Sequence, residues 1–335
     1  MMIGAPIPLR ILGTGVSTPK QNVSSNELDQ RLGLAEGTTF QKTGIQSRFL
    51  STTETAAQIG SEACNLALKN ASLRREDIDC LICCSATMDQ GLPYNAAMIL
   101  AEMGDSSGRV TAFDINASCM SFLAALDTVG YLVAAEKYTH VLLVSADIAT
   151  YGVNWDDLRE GGIFGDGAAA VVVRKSTSSE SSSLRHSNMK TWTEGVKHCQ
   201  IRGGGTRLHP LRDRAAFESA LTFEMNGKAV FKLANRYLPD FINRSLSECE
   251  LTLEQIDLFV PHQASKLALE HLAKKLKVPD EKIIRIFQTF GNQVGASLPT
   301  ALHYGIETQK IKRGNTIMLV GTGAGLTMGT IILTY

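Results

Sequence analysis

The sequence predicts an α/β protein built from two duplicated halves. Short runs rich in Val, Ile and Leu alternate with helix-period segments such as residues 54–71. This alternation is typical of largely parallel sheets covered by helices. The stretch at 75–86 recurs at 253–264, where Glu-x-Ile-Asp again precedes an apolar strand. One structural unit is therefore expected to occur twice.

Two further repeats support the duplication. Residues 140–147 match 316–323, and the glycine-rich entry to a strand at 164–173 matches 323–333. At an offset of 176, Cys119 falls on Gly295, so the second half carries a glycine turn where the first carries a thiol.

The polar, serine-rich segment at 175–188 reads as a surface connection between the repeats. We therefore expect an N-terminal half at residues 1–178 and a C-terminal half at 179–335.

Charge and hydropathy exclude several classes of function. Of 335 residues, 33 are Lys or Arg and 33 are Asp or Glu, so no overall positive field attracts nucleic acid or anionic lipid. No secretory leader is evident, and no run of about 18 apolar residues could form a transmembrane helix. These features predict a soluble cytoplasmic protein that binds neither nucleic acid nor membrane.

The seven cysteines do not form a disulfide framework, because their number is odd and their surroundings are apolar. Cys80 and Cys83 have the C-x-x-C spacing of a redox or zinc site. However, the surrounding segment reads as a buried strand, and no second pair has metal-ligand spacing. We therefore expect core cysteines and no metal site.

Cys119 differs from the others because it lies where a strand ends and a helix begins. Unpaired amides and the macrodipole at a helix start favour a thiolate, so a pKa below the usual value of about 8.5 is expected. A carbonyl attacked there would develop its negative charge near the Cys119 amide. An amide of the Gly323-Ala324 loop could complete an oxyanion hole.

Two more segments end strands or begin helices with chemically useful side chains. His262 follows an apolar strand, and Asn292 precedes a helix within a glycine-containing turn. Taken singly, each residue has a more common structural interpretation, the histidine as a hydrogen-bonded core group and the asparagine as a turn former. In open α/β folds, however, such strand ends meet at one crevice.

Five motifs together resemble the β-ketoacyl-acyl carrier protein synthase III family of the thiolase fold. They are TGIQSR (43–48), FGDGAAA (164–170), VPHQAS (260–265), GNQVGASLPTAL (291–302) and GTGAGLTMG (321–329). The resemblance covers nearly the whole chain. It implies a five-layered αβαβα subunit, a homodimer, and a catalytic site formed by Cys119, His262 and Asn292.

The resemblance also implies the reaction. Cys119 would take an acyl group from a thioester, and a malonyl thioester would then lose carbon dioxide. His262 and Asn292 would stabilise the resulting enolate, which attacks the acyl group. No cofactor is implied. A cysteine-dependent transfer of the acyl group to a hydroxyl or amine, without condensation, stays open as an alternative, as does a non-catalytic partner subunit.

Several positions depart from the family pattern. Thr38 stands where the family has an adenine-stacking Trp, with Phe40 the nearest aromatic residue. Leu158 stands where the family has an Arg, with Arg159 adjacent, and Ser265 replaces an Asn. These differences suggest a specialised member that takes its acyl group from a carrier other than coenzyme A, or that takes a different acyl group. The substrate-binding residues implied are Thr38, Phe40, Arg159, Phe231, Ser265 and Leu92.

Two features of the resemblance concern the acyl chain and its carrier. Leu92 replaces a Phe that restricts the acyl pocket across the family's dimer, which predicts primers longer than acetyl unless Met120 refills the space. Lys266, Lys274 and Lys275 form a basic strip that could dock an acidic acyl carrier protein.

Overall fold

The computed structural model of the protein describes residues 5–158 and 161–335. Its strands are β1 (Arg10–Ser17), β2 (Gln21–Ser24), β3 (Ser47–Leu50), β4 (Cys80–Cys83), β5 (Thr111–Asp114), β6 (His140–Asp147), β7 (Gly167–Arg174), β8 (Ser183–Thr191), β9 (Cys199–Gln200), β10 (Glu224–Met225), β11 (Leu258–Pro261), β12 (Thr316–Gly323) and β13 (Thr327–Thr334).

The helices alternate with these strands along the chain. They are α1 (Ser25–Arg31), α2 (Thr38–Thr43), α3 (Ala56–Asn70), α4 (Asn95–Glu102), α5 (Ser121–Ala134), α6 (Arg214–Glu218), α7 (Gly227–Ser247), α8 (Lys266–Leu276), α9 (Phe287–Phe290) and α10 (Ser297–Glu307). Capping residues begin several of them. Thr55, for example, forms a capping box with Gln58 at the start of α3.

Two mixed sheets form the framework. The first has the strand order β1-β7-β6-β4-β5 and the second the order β11-β12-β13-β8. Only the pairs β4/β5, β4/β6 and β11/β12 are parallel, so the expectation of largely parallel sheets is wrong. For β12 and β13 the cause is connection length, because three residues separate these strands, whereas a parallel pair needs a crossover of a dozen or more residues.

The two sheets and their helices form five layers. Helices α3 and α4 cover one face of the first sheet, and α7 packs on β13 and β8 of the second. Helices α5 and α10 lie between the sheets, where the largest apolar cluster is buried. Each large apolar side chain buried there, such as Phe122 or Leu126, stabilises the fold by about 1.5–3 kcal/mol relative to exposure. The αβαβα class expected from the sequence is confirmed.

The repeats seen in the sequence form equivalent strands and helices. Strands β6 and β12 begin 176 positions apart, as do helices α5 and α10, while β4 and β11 begin 178 positions apart. Cys119 and Gly295 consequently occupy matching places, each two residues before a central helix begins.

The connection between the halves is shorter than expected. Strand β7 ends at Arg174, but β8 begins at Ser183 and pairs with β13, so the second part of the 175–188 segment belongs to a sheet. Its polar residues suit the edge position of this strand. The division into halves at residue 178 stays a prediction.

Two further sequence expectations concern cysteines and membranes. Cys64, Cys80, Cys83, Cys84 and Cys249 are buried as free thiols, as expected for core residues. Within residues 5–158 and 161–335, no helix combines the length and apolarity needed to cross a bilayer.

Candidate active site

Cys119 lies in the turn between β5 and α5, immediately before the helix cap. Its neighbour Ser118 adopts a left-handed backbone conformation with φ of 56°, which redirects the chain from strand to helix. The Ser121 hydroxyl closes this turn. It accepts a hydrogen bond from the Ala117 amide at 2.8 Å and donates one to the Ser118 carbonyl at 2.6 Å. The thiol is therefore held at a fixed place at the start of α5.

Two backbone amides are directed toward the Cys119 sulfur. The amides of Ala324 and of Cys119 itself both favour the thiolate and lower the pKa of this group. The loop that carries Ala324 approaches closely, since a Cβ added to Gly323 would lie 3.5 Å from the Cys119 Cβ. These amides are the two donors that the sequence suggested for an oxyanion hole.

The expected depression of the Cys119 pKa is wrong, however. Burial is the largest cause that raises the pKa of this thiol, to about 11, and the nearby Asp147 carboxylate acts in the same direction. The Ser118 hydroxyl, 3.9 Å from the sulfur, and the two amides offset only part of this effect. The helix start was visible in the sequence, but the apolar enclosure that disfavours the charged form was not.

His262 follows β11 directly and extends the parallel ladder, since its amide donates to the Val320 carbonyl at 2.8 Å. Its side chain is buried, and burial lowers its pKa to about 4. Among the described residues, Nδ1 has no hydrogen-bond partner. The imidazole is therefore neutral at physiological pH and can donate through Nε2.

Asn292 lies in the turn between α9 and α10 and is fixed on the segment that precedes β7. Its amide donates to the Ile163 carbonyl at 2.8 Å, and its carbonyl accepts from the Gly165 amide at 3.1 Å. Its side-chain oxygen accepts from the Val294 amide at 2.9 Å. Gly165, the first glycine of the FGDG motif, is required here because a Cβ at this position would lie 2.1 Å from the Phe290 carbonyl oxygen.

The segments that carry the three predicted catalytic residues meet near β12. The His262 Cβ and the Cε of Met120, the residue after Cys119, would both lie 2.7 Å from a Cβ at Gly321 of this strand. Asn292 joins them through its side-chain amide, which lies 3.4 Å from the Ala264 carbonyl oxygen. Residues far apart in sequence therefore line one site between the halves.

An apolar cluster adjoins the Cys119 side chain. Val153, Phe164 and Val294 form its buried part, and Phe223 packs edge-on against Phe164 with ring centroids 4.9 Å apart. Such a wall suits an acyl chain better than a polar group.

Sequence reasoning missed Val153 and Phe223, because both come from irregular segments without repeats or motifs. The backbone amide of Phe223 donates to the Gly152 carbonyl at 2.7 Å, which holds these two segments together beside the apolar cluster. The one signal in the sequence was the aromatic side chain of Phe223 itself, next to the short strand β10, since such a side chain is often buried.

Trp155, which sequence reasoning also missed, lies between this apolar cluster and an outer cavity. It packs on the Cys119 cluster and on a second cluster beneath α1. The outer cavity, of about 530 Å³, is lined among others by Leu34, Lys42, Trp155, Asp156 and Leu158. It therefore combines an indole ring with charges of both signs.

The predicted donor-binding residues lie close to this cavity along the chain. Thr38 begins α2, which also carries Lys42, and its hydroxyl donates to the Ala35 carbonyl at 2.5 Å. Phe40, on the same helix, is partly exposed. Arg159 lies outside the described residues, so its assignment stays a prediction.

Other predicted positions lie further from the thiol. Leu92 is 85 % exposed and does not belong to the apolar cluster beside Cys119 in its own chain. Phe231 on α7 packs against His271 of α8, with ring centroids 4.6 Å apart. The Ser265 hydroxyl caps α8 by accepting from the Ala268 amide at 3.1 Å. None of these contacts involves Cys119.

The basic residues follow the same helix. Lys266 begins α8 and lies over Gly44, while Lys274 and Lys275 occupy its last turn. Within the described ranges, no group of three or more His, Cys, Asp or Glu side chains is arranged to bind a metal.

Comparison with known proteins agrees with the resemblance. Residues 113–192 match the family described as 3-oxoacyl-[acyl-carrier-protein (ACP)] synthase III, and residues 246–335 match the C-terminal family of the same enzyme. Similar proteins include the β-ketoacyl-[acyl-carrier-protein] synthase III of Clostridium perfringens, 32 % identical over 97 % of this chain and 98 % of that protein. The enzyme of the same name from Porphyra purpurea is 34 % identical over 98 % of this chain and 99 % of that protein.

Solved structures show the same fold. The 3-oxoacyl-[acyl-carrier-protein] synthase III of Aquifex aeolicus has a TM-score of 0.87 and 30 % identity, covering 98 % of this chain and all of that one. OleA of Xanthomonas campestris has a TM-score of 0.84, covers 98 % of both chains and is only 21 % identical, so it supports the fold alone.

Proposed function

The chain belongs to the 3-oxoacyl-[acyl-carrier-protein] synthase III family of condensing acyltransferases, and we propose that Cys119, His262 and Asn292 carry its reaction. The observation that supports this assignment is the approach of their segments: His262 and Met120, next to Cys119, both approach Gly321, and the Asn292 amide lies 3.4 Å from the Ala264 carbonyl oxygen. The Ala324 amide is directed at the Cys119 sulfur. The proposed substrates are an acyl thioester and a malonyl thioester bound to an acyl carrier protein.

In the first half-reaction, the Cys119 sulfur attacks the carbonyl carbon of the acyl thioester. The thiol proton leaves the sulfur, and negative charge develops on the carbonyl oxygen. The amides of Cys119 and Ala324, with Gly323 shaping the loop, supply donors for this oxygen. When the carrier thiol leaves with a proton, an acyl-Cys119 thioester remains.

In the second half-reaction, the malonyl thioester loses carbon dioxide. The electron pair of the broken carbon–carbon bond moves into an enolate, whose charge rests on the thioester oxygen. His262, neutral because of its burial, donates from Nε2 to this oxygen, and Asn292 donates from its amide. The enolate carbon attacks acyl-Cys119, which releases a β-ketoacyl thioester and the Cys119 thiolate.

The carrier-docking surface is proposed on α8. Lys274 and Lys275 lie in its last turn, and Lys266 at its start is 4.0 Å from Glu270. A strip of ammonium groups suits an acidic partner, because complementary charge accelerates encounter. The chemistry proposed here uses only side chains and amides of the chain, so no cofactor is proposed.

A homodimer is proposed because apolar side chains remain exposed beside the edge strand β5. Met88, Leu92 and Tyr94 are 63 %, 85 % and 46 % exposed, and β5 has a sheet neighbour on one side only. A second copy of the chain would cover them. The cytoplasmic location expected from the sequence stays a prediction.

Intact-mass measurement tests the function directly. The protein is incubated with C2 to C8 acyl groups on coenzyme A or on an acyl carrier protein, and then with a malonyl thioester labelled in its free carboxyl group. We expect one acyl adduct, followed by loss of the adduct and release of labelled carbon dioxide.

Two cysteine variants make this experiment specific. Cys119→Ala should form no adduct. Cys199→Ala should form it normally and is the matched control, because Cys199 is the other cysteine that is only partly buried. An adduct on Cys119→Ala would overturn the assignment. Acyl transfer to a hydroxyl or amine without carbon dioxide release would favour the alternative reaction.

A further inference from the structure

Met120, the residue after the proposed nucleophile, fills a notch made by three glycines. Its side chain is completely buried and points toward the second sheet. A Cβ added to Gly321, Gly323 or Gly329 would lie 2.7 Å from its Cε, 3.3 Å from its Cγ or 3.5 Å from its Sδ, respectively. Gly321 and Gly323 share one face of β12, and Gly329 is the partner of Gly321 on β13.

The glycines are required here by space rather than by backbone conformation. None of the three has a positive φ, so another residue could adopt their backbone angles. A side chain at Gly321 would overlap the Met120 Cε, and one at Gly323 would crowd its Cγ. A Cβ at Gly329 would be in ordinary contact with Met120 and would crowd Leu123 instead. A long unbranched side chain from one half of the molecule is therefore matched to a row of glycines in the other half.

The two ends of the notch touch the proposed catalytic groups. At one end, a Cβ added to Gly321 would lie 2.7 Å from the His262 Cβ and also 2.7 Å from the Met120 Cε. At Gly323 the notch meets the Cys119 Cβ at 3.5 Å, immediately before the Ala324 amide. The position that matches Met120 in the second half, 176 residues later, is the small Ala296.

We propose that Met120 is a positioning residue that sets the separation of Cys119 from the Ala324 amide and from His262. This inference rests on the proposed function. Met120 takes part through packing alone. It packs in the cluster between the sheets rather than with Val153, Phe164 and Val294. The refilling of the acyl space considered from the sequence stays a prediction.

Three variants test this role. Met120→Ala empties the notch and should let the Gly323-Ala324 loop move relative to the sulfur. We expect acylation to slow by about tenfold or more at saturating thioester, because a misplaced oxyanion donor costs turnover rather than binding. The alkylation of Cys119 by iodoacetamide should shift to higher pH, because the Ala324 amide lowers the pKa of this thiol.

Leu123→Ala is the matched control. Leu123 is also buried and its Cδ2 would lie 3.0 Å from a Cβ at Gly329, with neither Gly321 nor Gly323 among its close contacts. We expect it to lower the melting temperature while acylation stays within about twofold of wild type. Met120→Leu, which restores most of the volume, should recover most of the acylation rate and the wild-type alkylation profile.

Unchanged acylation and alkylation in a folded Met120→Ala variant would show that Met120 is an ordinary core residue. If this variant does not fold, Gly323→Ala tests the same contact from the other side, since its methyl group would press on both Met120 and Cys119. Normal acylation and alkylation in a folded Gly323→Ala variant would also overturn the proposal.

The alkylation profile separates this inference from the proposed function, because it needs no substrate. If wild type accepts no acyl thioester, the proposed function fails, and the pH shift of Met120→Ala still decides the placement of the loop.

Discussion

The side-chain amide of Asn292 lies 3.4 Å from the carbonyl oxygen of Ala264, two residues after His262. This contact turns the donor end of Asn292 toward the loop that carries the imidazole. The opposite end is occupied, because the Asn292 Oδ1 accepts from the Val294 amide at 2.9 Å. The orientation of the amide is thus fixed by backbone groups on both sides, and its second N–H hydrogen is available to an enolate oxygen.

The variant Asn292→Asp tests this donor with little change of shape. It keeps the acceptor for the Val294 amide but loses both N–H donors. We expect Cys119 to be acylated as in wild type, and condensation to fall by about 10²–10³, the usual cost of an oxyanion donor. Adduct formation by mass spectrometry and carbon dioxide release measure the two steps separately. Loss of both steps would instead make Asn292 a structural turn residue.

The raised pKa of Cys119 predicts a steep pH dependence. Since burial raises this pKa to about 11, the thiolate fraction should increase about tenfold per pH unit between pH 7 and 10. Rates of iodoacetamide alkylation at Cys119, followed by mass spectrometry, should follow this rise without a plateau below pH 10. A plateau near pH 7 would mean that the helix start outweighs burial.

His262 predicts a loss of stability in acid. Its pKa in the folded protein is about 4, below the unfolded value of about 6.5. The unfolded state therefore binds a proton first as the pH falls. Up to about 3 kcal/mol of unfolding free energy, present above pH 6.5, should be lost by pH 4.

Denaturant unfolding at pH 7 and pH 4 measures this loss, and His262→Gln should remove the histidine's share. If the variant and wild type lose equal stability over this interval, His262 is not the buried neutral group described here.

Leu92→Phe tests the predicted preference for longer acyl chains. Leu92 is exposed on its own chain, so we expect it to act on the neighbouring subunit of the proposed dimer. Replacing Leu by Phe should shift preference toward acetyl, by about 0.8 kcal/mol for each methylene excluded. Competition between acetyl and C4 to C8 thioesters measures the shift. A wild-type preference for acetyl, or no shift in the variant, would remove Leu92 from the pocket.

The double variant Lys274→Glu/Lys275→Glu tests carrier docking. Charge reversal on the last turn of α8 should raise KM for a carrier-bound thioester by about tenfold at low salt, while kcat and the KM for a pantetheine thioester stay unchanged. Lys310→Glu/Lys312→Glu, two exposed lysines after α10, provides the control. Equal effects on both thioesters would contradict docking at α8.

The sequence alone determined the two-fold repeat and the order of motifs. Repeats can be read from one chain because equivalent strands and helices keep their apolar spacing and glycine turns. The offset of 176 that relates Cys119 to Gly295 also relates β6 to β12 and α5 to α10. Local patterns likewise located the helix start at Cys119 and the buried cysteines.

Tertiary structure decided the strand directions, the electrostatics of the thiol and the walls of the site. A helix start predicts a lowered pKa for Cys119, yet desolvation depends on side chains from other segments, such as Val153 and Phe164, and it reverses the shift. In the same way, the packing of Met120 could not be predicted from the sequence, because its contacts are with glycines about 200 residues away. Local patterns report neighbours along the chain, whereas burial and packing are set by residues that only the folded chain brings together.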